Sequence, residues 1–322
     1  MLLSMLSMKT KKIVCSLNFP PRKMSLGTCA PCELEIRFYS IIIHVAFVKS
    51  EKEDAETGLL EIKRPERVRF NAVRKVDYGI VESVSCQWEN GTFEVRDYID
   101  HFMEILNHDR IDELTVTGDD AYPPESIQQL VNGLDIRQLS LSDWVSDNNV
   151  KIYLNAIKPS RSFDLDRCSL FDWNHTRMSQ FFVQNLDYIV ITNAALLTLD
   201  DLLLTNVSEI QINRTRMIEK DFNRFLKHWI AGSNPRLKYL MVGGDLTIED
   251  REEYERELLQ GIEHRKIPDE EKRTCVRHMG SYAEHMEPFS GGFYIRRKDG
   301  TETIVLSKNL FFHLILQELV NV

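Results

Sequence analysis

The chain has 322 residues, 43% of them hydrophobic and 28% charged, which is ordinary for a globular protein with a sizeable core. The formal net charge of −9 argues against nucleic acid as the main partner, because an acidic protein repels a phosphate backbone. Six scattered cysteines are too few for a disulfide framework, so the composition favours an intracellular protein.

The first residues contain no recognisable export or membrane segment. The apolar run Met1–Leu6 is too short for the core of a signal peptide, and lysines follow it. The apolar run Phe38–Val48 has eleven residues, which cannot span a bilayer, so it predicts a buried pair of strands. Residues 49–66 are charged and predict a linker. We therefore expect a cytoplasmic or nuclear protein with no membrane partner.

Two groups of residues have the chemistry of metal ligands but not the spacing. Cys29 and Cys32 are spaced like half of a zinc or redox site, yet no second pair follows them. His264, His278 and His285 are separated by 14 and 7 residues, which fits no common ligand pattern. The sequence also lacks the motifs of phosphate-binding loops, nucleophile elbows and metalloproteases. We therefore predict no metal, no cofactor, no catalytic residues and no enzyme activity.

The middle of the chain repeats a strand followed by a helix. Tyr98, Ile99 and Phe102, with Ile105 and Leu106, predict a first helix. Six apolar–x–apolar triplets then predict strands, with starts 21–30 residues apart: Leu114–Val116, Leu139–Leu141, Phe163–Leu165, Ile189–Ile191, Ile210–Ile212 and Leu240–Val242. Helical spacing of apolar residues separates several of them, at residues 127–134, 150–157 and 222–230.

This alternation predicts an α/β fold, a leucine-rich-repeat-like strand–helix solenoid with a parallel sheet on its concave side. The alternative is a doubly wound α/β domain, which is less favoured because no glycine-rich phosphate loop follows any strand. Residues 263–291 are polar and contain Pro268 and Pro288, so they predict a loop. Phe293–Leu306 predicts a β-hairpin that turns at Asp299–Gly300. Leu310–Leu319 predicts an apolar closing helix.

A solenoid would present the residues within and beside each strand triplet on the open face of the sheet, as a partner-binding surface. Polar residues such as Glu113, Thr115 and Gln138 would face this side. The predicted site residues are the apolar anchors Tyr188, Val190, Tyr239 and Met241, with Asp164 and Asp166 suited to a basic substrate segment. The alternative is that the C-terminal hairpin and closing helix cover both tyrosines.

Three stretches carry more information than their periodicity. They are Leu199–Leu204, the run FLKHWIAGSNPRLKYL at Phe225–Leu240, and Ile295–Thr301. Together they resemble the type 2 F-box-associated domain of nematode F-box proteins, and the similarity extends over roughly residues 67–319. In that family the domain is thought to hold protein substrates for a cullin-based ubiquitin ligase.

Residues 3–17 resemble the second half of a nematode F-box, the element that binds a Skp-class adaptor. The apolar stripe of this adaptor-binding remnant consists of Leu3, Leu6, Ile13, Val14 and Leu17. The resemblance implies a truncated F-box with weak adaptor binding, and therefore a substrate-recognition module that is uncoupled from its ligase. The alternative is a free-standing repeat scaffold or decoy binder. The expected organisation is an F-box remnant at 1–18, a connecting segment at 19–66, the repeat domain at 67–262, and the loop, hairpin and capping helix at 263–322.

Overall fold

The computed structural model describes fifteen parts of the chain. These are residues 32–38, 43–49, 67–75, 81–89, 93–106, 108–117, 124–141, 145, 147–165, 182–192, 194–195, 197–244, 251–277, 285–308 and 311–321. The chain divides into two compact units, Met1–Ser160 and Arg161–Val322. Each unit is described separately below.

The first unit contains a mixed sheet and three described helices. Its elements are β1 (Cys32–Phe38), β2 (Ile43–Lys49), β3 (Arg67–Lys75), β4 (Val81–Glu89), α1 (Val95–Leu106), β5 (Arg110–Thr117), α2 (Pro124–Val131), β6 (Asp135–Leu141) and α3 (Asp147–Ala156). Among the described strands the order is β6-β5-β1-β2-β3-β4. Strands β5 and β6 are parallel, and the pairs from β5 through β1, β2 and β3 to β4 are antiparallel.

The core of this unit agrees with the helical and strand patterns of the sequence. Ile99 and Phe102 of α1 are buried, as are Ile127 of α2 and Leu154 of α3. Every described side chain from Ile111 to Val116 in β5 is buried, because this strand is covered on both faces. The pairing of β1 with β2 confirms the strand pair that the apolar run around Phe38–Val48 predicts.

The second unit contains the remaining elements, and it includes all three stretches that carry the family resemblance. They are β7 (Ser162–Leu165), β8 (Tyr188–Ile191), α4 (Leu199–Leu203), β9 (Glu209–Thr215), α5 (Glu219–Ala231), β10 (Tyr239–Gly244), α6 (Arg251–Leu258), β11 (Arg265–Lys266), β12 (Lys272–Arg277), β13 (His285–Ser290), β14 (Phe293–Arg296), β15 (Glu302–Lys308), β16 (Phe311–Leu316), a 3₁₀ turn (Gln317–Leu319) and β17 (Val320–Asn321).

The described strands of this unit form two sheets. In the larger one the described strands follow the order β7-β8-β9-β10-β16-β15-β14-β11. The strands from β7 to β10 are parallel, and those from β16 onward are antiparallel to their neighbours. In the smaller sheet β12 pairs with β13 on one side and with β17 on the other.

Alternation along the strands shows that the larger sheet lies between two layers. On one face α5 packs against it, and the ring of Phe222 stacks on that of Phe312 in β16 with 4.6 Å between their centroids. The opposite side chains of the sheet, among them Tyr239 and Ile315, cluster with Cys275 and Phe289 of the smaller sheet. Both faces of β10 and β16 are therefore buried.

The mixed α/β class is confirmed, and so are the six predicted strands and the hairpin, whose Gly300 has a φ of 93°. The leucine-rich-repeat-like solenoid is not confirmed, because antiparallel strands extend the parallel ones in both units. The predicted loop at residues 263–291 is wrong, because this segment contains β11, β12 and β13. The alternating apolar pattern of a strand is absent from this segment, because Arg273 and Arg277 occupy buried positions that usually carry apolar residues.

The predicted closing helix at Leu310–Leu319 is also wrong. Residues 311–316 form β16, which hydrogen-bonds to β10 on one side and to β15 on the other, and only a single 3₁₀ turn follows it. A continuous apolar run of this length is compatible with either a buried strand or a buried helix, and periodicity alone cannot distinguish them. Sheet pairing on both sides decided the outcome.

Candidate partner-binding surface

The predicted apolar anchors of the sheet face are mostly core residues. Tyr239 is fully buried, and Tyr188 and Met241 are below one-tenth exposed, while Val190 is half-buried. Tyr239 and Met241 belong to one hydrophobic cluster with Cys275, Phe289 and Val320 of the smaller sheet, with Ile267, and with Ile304, Leu306 and Ile315 of the larger sheet. Tyr188 and Tyr239 are therefore covered, as the alternative interpretation of the sequence expected. The smaller sheet, rather than a closing helix, provides the cover.

Of the other predicted site residues, some are described by the structure and some lie outside the described residues. Asp164 is half-buried in β7, whereas Asp166 lies outside the described residues. The adaptor-binding remnant, Leu3, Leu6, Ile13, Val14 and Leu17, also lies outside them. In the first unit, Glu113 and Gln138 are buried instead of open, and the Glu113 carboxylate accepts a hydrogen bond of 2.8 Å from Ser140 Oγ.

A polar cluster joins the two sheets of the second unit. The guanidinium of Arg277 lies 4.5 Å from the centre of the Tyr239 ring, and its Nη2 donates to Glu287 Oε2 at 2.9 Å. Its Nη1 donates at 3.5 Å to Gln211 Oε1, which also accepts the Tyr188 hydroxyl at 3.4 Å. This cluster attaches β12 and β13 to the face of β8, β9 and β10.

The two tyrosines of this cluster and the neighbouring Cys275 are held in their protonated forms. Burial raises the pKa of Tyr188 well above its ordinary value, and the negative charge of Asp164 raises it further. Burial also raises the pKa of Tyr239, although Arg277 partly opposes the shift. The pKa of the Cys275 thiol rises to about 12, again mainly through burial. Both phenols and the thiol are protonated at neutral pH, so none of them is an activated nucleophile.

Three residues of the run Phe225–Leu240 stabilise the end of α5 and its packing. Trp229 is fully buried on the inner face of α5. Gly232 ends the helix with a φ of 120°, a left-handed conformation that glycine adopts without a steric penalty. Asn234, also left-handed with a φ of 51°, is buried. Its amide donates hydrogen bonds of 2.9 Å to the carbonyls of Leu202 and Thr205, which connects the end of α4 to the end of α5.

The stretch Ile295–Thr301 contacts this same helix end. Arg297 is buried and donates from Nη2 to the Gly232 carbonyl at 2.8 Å, and the Lys298 backbone N–H donates to the Ile230 carbonyl at 3.0 Å. Sequence reasoning assigned no role to Arg297. The available signal was its position inside Ile295–Thr301, one of the three stretches that carry the family resemblance.

Two apolar side chains of the second unit are largely exposed. Val183 and Leu204 are 53% and 52% exposed, although both side chains are apolar. The two segments that carry them run side by side, because the Asn206 backbone N–H donates to the Phe182 carbonyl at 2.7 Å. The solvent face of α5 is instead basic, with Lys220, Arg224 and Lys227 exposed.

Within the described ranges, no cluster of three or more His, Cys, Asp or Glu side chains could hold a metal ion. The helices in those ranges are also too short or too polar to cross a bilayer.

Part of the second unit is similar to a known protein family. Residues 177–242 match a family model described as F-box associated. The chain is 27% identical over 142 residues to the F-box associated domain-containing protein sdz-33 of Caenorhabditis elegans, covering 43% of this chain and 41% of that protein. It is also 27% identical over 146 residues to the E3 ubiquitin-protein ligase hecw-1 of the same nematode, covering 41% of this chain and 11% of that protein. No solved structure matches the chain significantly.

The chain spans less than half the length of either relative. The matched residues include β8, α4, β9, α5 and most of β10, and with them Trp229 and Asn234. This result confirms the resemblance to nematode F-box-associated proteins, whereas truncation of the F-box stays a prediction. Residues 177–242, which include β8, α4, β9 and α5, thus match the F-box associated family model.

Proposed function

We propose that this protein is the substrate-recognition module of an F-box-type ubiquitin-ligase receptor, and that it binds another protein without catalysing a reaction. The observation that carries this proposal is the family match at residues 177–242. The two relatives, an F-box associated domain-containing protein and an E3 ubiquitin-protein ligase, support the same context.

The proposed recognition surface contains Val183 and Leu204 rather than the predicted anchors of the sheet face. Tyr188, Tyr239 and Met241 are occupied by contacts within the chain, so they are not available as anchors in this conformation. Val183 and Leu204 lie within the matched family region and are both more than half exposed. Large exposed apolar patches rimmed by polar residues mark protein-binding sites, and two exposed apolar side chains on neighbouring segments would contribute to such a patch.

The proposal also includes coupling to a ubiquitin ligase through residues 3–17. The apolar stripe of residues 3–17, which includes Leu6 and Val14, would contact a Skp-class adaptor through buried apolar surface. If this contact is weak, the protein acts instead as a free-standing scaffold or as a decoy that holds a substrate without delivering it.

A quantitative pulldown from nematode lysate separates these possibilities. The full chain is compared with a Val183→Asp/Leu204→Asp variant and with Met286→Asp, a matched control at a side chain that is 63% exposed elsewhere in the second unit. We expect the double variant to lose a defined set of captured proteins that Met286→Asp retains. Equal capture by all three proteins would contradict the proposed surface.

The same pulldown reports on the adaptor. Recovery of a Skp-class protein that is lost in Leu6→Asp/Val14→Asp would establish ligase coupling. Substrate capture without any adaptor would instead favour the scaffold or decoy.

A further inference from the structure

The exposed face of α5 carries a row of basic side chains. Lys220, Arg224 and Lys227 are spaced at i, i+4 and i+7, which places them on one side of the helix, and His228 follows. All four are exposed, in contrast to Phe222, Phe225 and Trp229 on the inner side. The helix has 13 residues and is therefore about 20 Å long.

Nearby carboxylates neutralise this row only in part. Lys220 Nζ lies 3.5 Å from Glu257 Oε2 of α6. Arg224 Nη1 lies 3.9 Å from Asp221 Oδ1, at the limit of an ion pair, while the other oxygen of Asp221 accepts the Ile218 backbone N–H. The side chains of Lys220 and Arg224 are 64% and 69% exposed, so both cations remain accessible to a partner.

Further exposed basic residues lie beyond both ends of the helix. Arg214 and Arg216 are exposed in the segment that leads from β9 into α5. Arg214 has a φ of 55°, a conformation that is unfavourable for a residue other than glycine. At the other end the hairpin turn places Lys298 against the helix, because its N–H donates to Ile230. We call this set the basic ribbon: Arg214, Arg216, Lys220, Arg224, Lys227 and Lys298.

The charge of the ribbon is opposite to that of the whole chain, which is −9. A local surface of opposite sign attracts a ligand more selectively than a uniformly charged protein does. A nucleic acid would meet repulsion from the remaining acidic surface. A short acidic segment of a protein could contact the ribbon alone, and Ile218, 37% exposed beside it, offers apolar contact as well.

From these observations we propose that the basic ribbon along α5 docks an acidic, extended segment of a partner protein. This inference deepens the proposed function and rests on it, since it names the chemistry of one class of bound protein. An extended segment of about six residues would match the length of the helix at roughly 3.3 Å per residue.

The test uses a fluorescent, glutamate-rich peptide of about eight residues, which is long enough to span the helix in extended form. Its binding to the full chain is measured by fluorescence anisotropy at several salt concentrations. We expect Arg224→Glu/Lys227→Glu to weaken binding about tenfold or more, and added salt to weaken binding to the unaltered chain.

The matched control is Arg251→Glu/Arg256→Glu on α6. It changes the net charge equally, but each of these arginines is paired with a glutamate of its own helix, Glu255 and Glu253. This control should bind the peptide nearly as well as the unaltered chain, and both variants should keep the melting temperature within a few degrees.

Three results would overturn the proposal: no peptide binding at low salt, equal losses in both double variants, or tighter binding of a single-stranded oligonucleotide of the same charge. The lysate capture that depends on Val183 and Leu204 is independent of this peptide. If that capture persists while the peptide fails to bind, the ribbon is refuted and the proposed function stands.

Discussion

Arg297 donates a hydrogen bond of 2.8 Å to the carbonyl of Gly232, although 65 positions separate the two residues in the chain. The same guanidinium lies 5.4 Å from the centre of the Trp229 ring, and its Nε is 3.3 Å from Asp299 Oδ2. The last carbonyls of a helix lack partners within the helix, so a buried arginine at this position satisfies one of them. Two of the three stretches that carry the family resemblance therefore meet at one contact.

Arg297→Ala should lower the free energy of unfolding by about 1.5–3 kcal/mol, because it removes a hydrogen bond from a buried charged group. Arg297→Lys should recover only part of this loss, since an ammonium group lacks the planar fork of arginine. Urea unfolding measures both changes. The neighbouring Arg296→Ala is the control: its side chain is exposed and paired only at the surface with Glu302, so its urea midpoint should match that of the unaltered chain.

Trp229→Ala should cost roughly 3–5 kcal/mol, because it leaves a cavity in a fully buried site. Lys227→Ala, on the exposed face of the same helix, should stay within about 0.5 kcal/mol of the unaltered chain. Thermal unfolding followed by circular dichroism tests the pair. Equal melting temperatures for the two variants would contradict the helix register.

Asn223 is a polar residue of α5, yet its side chain is buried. Its amide donates to the carbonyls of Leu258 at 2.8 Å and Gln260 at 3.0 Å, at the end of α6. Asn223→Ala leaves both carbonyls without this donor and should cost about 1–3 kcal/mol. A urea midpoint as high as that of Lys227→Ala would show that the contact to α6 contributes nothing to stability.

The raised pKa values of Tyr188 and Tyr239 predict a loss of stability at alkaline pH. Below pH about 10 the phenols are protonated in both states, and the folding equilibrium does not depend on them. Above it the unfolded phenols ionise while the buried ones do not, so unfolding releases protons and stability falls as the pH rises. Denaturation midpoints measured across this range should fall less steeply in Tyr188→Phe/Tyr239→Phe. An unchanged slope would contradict the contribution of these two groups.

Gly243 allows the close approach of the Phe311 ring from the paired strand β16, because a Cβ at this position would overlap the ring. Gly243→Ala should therefore destabilise the protein by roughly 1–3 kcal/mol through overpacking. The double variant Gly243→Ala/Phe311→Ala should lose less than the sum of the two single changes, since it relieves the overlap. Strict additivity in chemical unfolding would rule out steric coupling between these residues.

The covered sheet face illustrates what a single sequence leaves open. Period-two alternation identifies β8 and β10 and shows that Tyr188 and Tyr239 share a face. It does not show what lies above that face. The answer depends on β12, whose buried positions are Arg273, Cys275 and Arg277, and charged side chains remove the apolar signal by which a strand is recognised.

Local physical chemistry determined the elements whose stabilising features lie close together in the chain. The apolar stripe of α5, its stop at Gly232 and the hairpin turn at Gly300 all follow from spacing and backbone preference within a few residues. The sequence also carried the family resemblance at Phe225–Leu240, and the family match at residues 177–242 includes most of the elements around this run.

Only the tertiary structure decided the features that depend on distant partners. It made residues 311–316 a strand, because β10 and β15 both offer hydrogen bonds to that segment. It buried Asn223 and Arg297, because Leu258 and Gly232 present carbonyls to them. A polar side chain is predicted to be exposed by its own chemistry and becomes a core residue when a remote backbone group supplies its hydrogen bond.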